Sequence, residues 1–347
     1  MIHPMCCWLL AGAISLSTLA AADLVNGKTF ADFAASFDRV QAASDPGDGE
    51  KTEPSAAKRA ELVKSADRIV DGEIPFYGSE WIKVGTGDID WFGGQRNHQE
   101  WIAQLNRFRY LVTLADAWEA TRDAKYPARA LALMEDFRQF VVDKHQKKFF
   151  DPQKDNRLNV SLRMLNWSLA IRRMGASPVF TDRSLNELLD FMAWELDNLD
   201  RVTAPGTSNF QVAQSEALML TSLYFPGLPG AAKRLKHGAE VMAECLSKQF
   251  RPDGSHWENS AGYHGGMLRT AIKCQALRRE FPEVPSVMTP AVFAGAVDFL
   301  YLAGPWGFND HGIKVPPFPA FKYDLALAKT RAAEAGLKDW QPPLYRA

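Results

Sequence analysis

The stretch 99–121, QEWIAQLNRFRYLVTLADAWEAT, sets Ile102, Leu105, Phe108, Val112, Ala115 and Trp118 at steps of three and four residues. An apolar set at that spacing lines one face of an α-helix, and that face must be buried against something. Similar stripes run through about 126–143, 157–174, 184–199, 210–224, 229–250, 264–280, 288–303 and 323–335, with shorter ones at 31–42 and 54–70. No strand alternation of comparable length interrupts them. The punctuation agrees: Ser184 and Glu187 form an S-x-x-E capping signal, Pro127 and Pro290 suit a first helical turn, and Pro226-Gly227 separates two stripes. About ten helices on short connections, each antiparallel pair taking roughly forty residues, predict an all-α fold of helical hairpins curved into an incomplete or full α/α toroid.

Two segments depart from the helical period. SDPGDGEKTEP at 43–53 has the composition of a linker, and 73–98, EIPFYGSEWIKVGTGDIDWFGGQRNH, is a long irregular insertion rich in aromatics and glycine, the kind of loop that builds a cleft wall. The first 22 residues end in an apolar run and three alanines, which fits a secretory signal cut after Ala22 and hence a periplasmic or secreted protein. That run is too short for a comfortable membrane span. Residues 23–347 then form the toroid domain, with Cys245 and Cys274 as its remaining cysteines and no disulfide framework or cysteine-rich metal site expected. A net charge of -1 gives no electrostatic reason to expect nucleic acid or an anionic membrane as the main partner.

Three polar clusters carry the chemistry. In GTSNFQVAQSEALML (206–220), Asn209 stands at a probable helix start, where it suits an N-cap or a hydrogen-bonding post at a cleft mouth. Glu216, seven residues on along the same face, suits a carboxylate paired with an arginine. In PDGSHWENSAGYHGG (252–266), Asp253-Gly254 is a turn signal, and Glu258 and Ser260 suit caps for the helix that follows. Tyr263 and His264 are either packed residues with satisfied tips or a proton-transfer pair, and local chemistry leaves both open. The third cluster is basic: Gln95, Arg96, Asn97 and His98 in the insertion, Arg107, and Arg163 in LNVSLRMLNW. Nucleotide-binding, serine-hydrolase and zinc-protease signatures lack their minimum parts, and the histidines have no ligand spacing, so neither cofactor nor metal is expected.

Taken in order, NRFRYLVTLADAWEATRDAKYP, SLRMLNW, GTSNFQVAQSEALMLTSLYFP and PDGSHWENSAGYH resemble the helical domain of the heparinase II/III-like polysaccharide lyases, which include alginate and oligo-alginate lyases, over about 90–310. The resemblance implies β-elimination on an anionic, uronate-containing polysaccharide such as a glycosaminoglycan or alginate. Asn209 matches the position that neutralises the uronate carboxylate, and Tyr263 matches the catalytic tyrosine. His98, Arg107, Arg163 and His264 would bind or assist, while Glu216, Asp253 and Glu258 support the site. Two departures stand out. Phe210 replaces the histidine that some members carry after the asparagine. The relatives also continue into a β-sheet domain that contributes a catalytic histidine, whereas roughly 35 residues follow His311, fewer than a domain needs. The chain is therefore expected to be a fragment, a truncated product or a helical domain used alone. Two other functions stay in play: a polysaccharide-binding toroid with little turnover, and an α/α glycoside hydrolase using Glu216, Asp253 or Glu258 as a carboxylate pair.

Overall fold

In the computed structural model, which describes residues 29–44, 55–77, 80–145, 156–258 and 260–303, the apolar stripes become helices buried on their striped faces. Helices α1 (Phe30–Ser44) and α2 (Ala56–Val70) lead into a short antiparallel hairpin, β1 (Glu73–Phe76) and β2 (Glu80–Lys83), with Ile74 opposite Ile82. Then come α3 (Gln99–Arg107), α4 (Tyr110–Thr121), α5 (Lys125–Gln139) with a π-helical turn at Phe140–His145, α6 (Asn156–Met174), α7 (Asp182–Val202), α8 (Asn209–Tyr224), α9 (Ala231–Gln249), α10 (Ala261–Glu280) and α11 (Pro290–Ala303). The signal expected at 1–22, most of the linker at 43–53 and the stripe at 323–335 lie outside the described residues.

Four local expectations are corrected. The 99–121 stripe is two helices, because Phe108 takes a left-handed conformation (φ 58°). The break is stabilised by packing: Phe108 is fully buried, stacks on Trp91 at 5.1 Å and meets Phe137 and Trp167 edge-on. A well-filled aromatic core outweighs the roughly 1–2 kcal/mol that such a backbone costs an L-residue. The α7 cap is Thr181, whose hydroxyl accepts from the Ser184 N–H at 3.2 Å, and Glu187 instead receives Arg138 and Arg183. Residues 73–98 hold the β1–β2 hairpin, so the insertion is not wholly irregular. Its later part is pinned by two residues of α5. Asp136 accepts from the Asp88 and Ile89 amides and from the Trp91 indole, while buried Arg129 donates to the Ile69, Gly85 and Thr86 carbonyls. Finally, Ser260 occupies the N-cap position of α10 but its side chain makes no capping bond.

The helices form two layers. Helices α4, α6, α8 and α10 pack side by side, while α5, α7 and α9 return outside them, the hairpin arrangement of an α/α toroid. The direction of the inner helices follows from pairs of contacts. Ser168 meets Thr221 at 3.4 Å and, one turn on in both helices, Arg172 lies over the Tyr224 ring at 6.0 Å, so α6 and α8 run parallel. Lys273 on α10 reaches Glu216 on α8 at 2.6 Å, and Gln249 links Ser208 to His256 ahead of the two helix starts, so α10 runs the same way. Helix α9 runs back against α8 so closely that a Cβ on Gly238 would lie 2.9 Å from the Leu218 side chain and 3.0 Å from the Ser215 carbonyl. One apolar cluster, rich in Trp91, Trp101, Phe108, Phe137, Trp167 and Phe191, fills the space from α1 to α7. A second, around Met219, Met242, Leu246, Leu268 and Phe293, fills that between α8 and α11, and Leu165 and Tyr224 pack against both. Cys245 and Cys274 are buried free thiols, and burial pushes Cys274 up to about 12. Among the described residues no helix is long and apolar enough to cross a membrane.

Candidate active site

Parallel inner helices bring their N-termini to one end of the layer, and there the free backbone N–H groups and helix dipoles favour negative charge. Asn209 is the first residue of α8 and Tyr263 lies in the first turn of α10. The expectation that Asn209 caps α8 is corrected: the cap is Ser208, whose hydroxyl accepts from the Phe210 N–H at 3.1 Å, while the Gln211 side chain accepts from the Ser208 N–H at 3.0 Å. This S-x-x-Q box was readable in the sequence. With the capping role filled by a neighbour, half-buried Asn209 has only a long 3.4 Å contact from the Ser208 hydroxyl to its Oδ1, and its Nδ2 donates to no described residue.

The segment 249–257 forms a tight hairpin turn. Phe250 and His256 form an antiparallel bridge, the Arg251 N–H donates to Ser255 at 2.9 Å, and the Trp257 N–H donates to the Gln249 carbonyl at 2.9 Å. Asp253 accepts from both the amide and the hydroxyl of Ser255, which holds its carboxyl below the usual range. Gly254 at the tip has φ 85°, and a Cβ there would sit 2.1 Å from the Ala296 nitrogen, so only glycine lets the turn press against α11.

Behind this turn a buried relay joins the starts of α8 and α10. Gln249 donates through Nε2 to the Ser208 carbonyl at 3.2 Å, and its Oε1 lies 3.1 Å from His256 Nε2. The Ser208 carbonyl can only accept, so the Gln249 amide orientation is fixed and His256 must carry its proton on Nε2. Its Nδ1 then accepts the Glu258 N–H at 3.3 Å. Burial, the neighbouring His264 and Arg251 push His256 down to about 4, which keeps it neutral. Neither Gln249 nor His256 was singled out from the sequence. The one available signal was an isolated glutamine on the buried stripe of α9.

The expected site residues divide. Tyr263 is 38% exposed and its hydroxyl bonds to no described residue. His264 is fully buried, donates from Nε2 to the Ala296 carbonyl at 2.7 Å and packs on Phe250 and His256. Burial lowers its pKa, so the neutral form is favoured and the ring faces the core rather than the cleft. Arg163 is likewise buried, fork-bonded to Glu195 and donating to the Asn106 carbonyl at 3.0 Å. Arg107, mostly buried, donates to Asn159 on the first turn of α6 at 2.9 Å and lies 3.8 Å from Glu100. His98 is exposed on the insertion, accepts the Glu100 N–H at 3.2 Å as the cap of α3, and sits edge-on to Phe76. Glu216 is paired as expected, but with Lys273 rather than an arginine. Glu258 is half-buried beside the relay.

A family model described as heparinase II/III N-terminus matches residues 49–289. A heparin-sulfate lyase of Bacteroides thetaiotaomicron is 23% identical over 225 residues, which cover 63% of this chain and 32% of that protein. Among solved structures, a heparan sulfate lyase from Pedobacter heparinus superposes with a TM-score of 0.68 at 19% identity, covering 91% of this chain and 52% of the other. A heparinase III gene product gives 0.62 at 15% identity over 91% and 54%. The chain thus spans about a third of the curated relative and about half of each solved structure.

Proposed function

Because the chain belongs to the heparinase II/III N-terminal domain family, we propose that it is the helical part of a polysaccharide lyase acting by β-elimination on a uronate polymer such as heparan sulfate or alginate. The observation that carries this reading is the pair of polar groups at the helix starts. Ser208 and Gln211 cap α8, so the Asn209 amide is left to meet a ligand, and the Tyr263 hydroxyl stands exposed at the start of α10.

The chemistry follows from those two groups. The C5 hydrogen of a uronate is weakly acidic because the adjacent carboxylate already carries charge. An amide donor beside a helix N-terminus stabilises the further negative charge that develops on that carboxylate as the proton leaves. Tyr263 as phenolate takes the C5 proton, the electron pair of that C–H bond forms the C4=C5 double bond as the C4–O bond breaks, and the phenol so formed gives the proton to the departing O4. On the α3 side Arg107, held by Asn159, lends positive charge, and exposed His98, whose Nδ1 accepts the Glu100 N–H, offers its other ring nitrogen. Arg163 and His264 act from within the core, one bracing α6 through Glu195 and the other bracing α10 against α11. Export of the protein through its first 22 residues belongs to the same reading, since such polymers lie outside the cytoplasm.

The test is absorbance of the unsaturated product on heparan sulfate, hyaluronan and alginate. Depolymerisation that yields saturated ends, or no uronate polymer cleaved, sinks the lyase reading. A second reading, a binding toroid with little turnover, is favoured by the burial of His264, which takes one proton carrier away from Tyr263. It expects binding without product, and the same affinity in Tyr263→Phe. A hydrolase loses its carboxylate pair, because Glu216 is spent on Lys273 and Asp253 on the Ser255 turn, which leaves one candidate, Glu258.

A further inference from the structure

Among the described residues six large apolar side chains are exposed: Tyr77, Phe92, Ile102, Trp194, Trp257 and Tyr263. Three of the five rings lean on a neighbour, Tyr77 on Phe76 at 4.4 Å, Phe92 on Phe140 at 5.1 Å and Trp194 on Phe191 at 5.7 Å. The two with no ring partner among the described residues, Trp257 and Tyr263, lie six positions apart in the same segment. Tyr263 already has a role in the proposed reaction. Trp257, 41% exposed, does not.

Its backbone is held unusually well for an exposed residue. The Trp257 N–H donates to the Gln249 carbonyl at 2.9 Å, its carbonyl accepts from Arg251 at 3.5 Å, and the next amide, that of Glu258, donates to His256. The Gln249 side chain is the group that holds the Ser208 carbonyl, one residue before Asn209. The Trp257 backbone is therefore tied to Gln249, the same residue that ties the start of α8 to the turn before Tyr263. A large aromatic face carried on a held backbone has only two side-chain torsions to order when it meets the flat apolar face of a pyranose, and the indole N–H adds a donor at the edge. The Arg251 guanidinium against the Trp257 carbonyl adds positive charge for an anionic sugar.

We propose that Trp257 is a saccharide-stacking residue that holds one sugar ring of the substrate beside Asn209 and Tyr263, with Gln249 as its positioning residue. The proposal rests on the reading of this site as a uronate-polymer site, and the two are separable by experiment. The measurement is calorimetric binding of heparan sulfate, alginate and neutral xylan oligosaccharides to the full chain and to Trp257→Ala, Trp257→Phe and Gln249→Glu. Thermal melts of each variant accompany it.

For Trp257→Ala the expectation is a ~tenfold rise in Kd for an anionic oligosaccharide, with the two-state fold kept in the melt because the backbone bonds that hold the turn do not involve the ring. Trp257→Phe should recover most of the affinity. Gln249→Glu accepts from His256 but, ionised, has no donor for Ser208, and should weaken binding only while Trp257 is present. Parent binding left within twofold by Trp257→Ala overturns the stacking role and leaves the uronate reading standing. Binding confined to neutral xylan but still dependent on Trp257 supports stacking and overturns the uronate reading. A parent that binds none of the three overturns both.

Discussion

Two sides of the inner layer use the same kinds of residue to opposite ends. On the α3–α6 side, Arg163 is spent on Glu195 and the Asn106 carbonyl, and Arg107 on Asn159. On the α8–α10 side, Ser208, Gln249 and His256 do the structural bonding, and the Asn209 amide and Tyr263 hydroxyl are left over. Side-chain type does not separate a bracing group from a working one. What separates them is whether a neighbour of similar chemistry has already filled the structural role. Arginine, asparagine, histidine and tyrosine each occur at or near the helix starts, and Asn209, relieved of capping by Ser208 and Gln211, keeps a donor unspent.

The contrast is broken most severely at Arg163. Arg163→Met leaves the Glu195 carboxylate buried and uncompensated, where burial already holds it above the ordinary range, and should cost ~3–5 kcal/mol in urea unfolding. A loss under 1 kcal/mol would mean that this side is not the rigid one. Tyr263→Phe should do the reverse. Stability should move by less than ~0.5 kcal/mol, because the hydroxyl bonds to no described residue. Turnover on a cleaved uronate polymer should drop at least ~100-fold. Equal turnover in Tyr263→Phe and parent would remove the tyrosine from the chemistry.

The difference between the two sides also explains what was legible in the sequence. Helical spacing placed most of the helices because burial of a stripe is a local, periodic signal. Phe108 escaped it, since the helix break there depends on Trp91, Phe137 and Trp167 closing around the ring, and two of those three lie tens of residues away. The β1–β2 hairpin escaped because two four-residue strands carry too short an alternation to stand out. At the site, the order of motifs pointed to Asn209 and Tyr263, but which neighbour caps α8 and which histidine faces inward are decided by tertiary partners. His264 lies next to Tyr263 in sequence but faces inward while Tyr263 faces out, because successive helical residues are turned by about 100°. Gln249 reaches Ser208, 41 positions away, and its one local mark is being a glutamine on the buried stripe of α9.

The relay gives a finer test of the α8–α10 side. Gln249→Ala leaves the Ser208 carbonyl and the His256 Nε2–H without their partner, and should cost ~1–3 kcal/mol. The damage should extend to turnover on any cleaved polymer, since Asn209 and the turn before Tyr263 lose their common tie. Stability lost with no change in turnover would show that the relay braces the fold without placing the reacting groups.

The smallest effect is a pH dependence confined to this side. His256 titrates near 4 in the folded chain, against about 6.5 when unfolded, and burial also lowers His264. Both are neutral in the native state, so between pH 6.5 and 4 the unfolded chain binds more protons than the folded one. Stability should therefore fall as the pH drops through that window, with His256 contributing up to ~1.4 kcal/mol per pH unit, and this contribution should level off below 4, where the folded ring protonates too. Protonation puts a hydrogen on His256 Nδ1, which then no longer accepts the Glu258 N–H and frees the chain just ahead of α10. His256→Gln should be less stable than the parent at pH 7 yet lose less on going to pH 5. Identical slopes for the two proteins would place the acid sensitivity elsewhere, and would leave the α8–α10 side no more pH-sensitive than the Arg163 side.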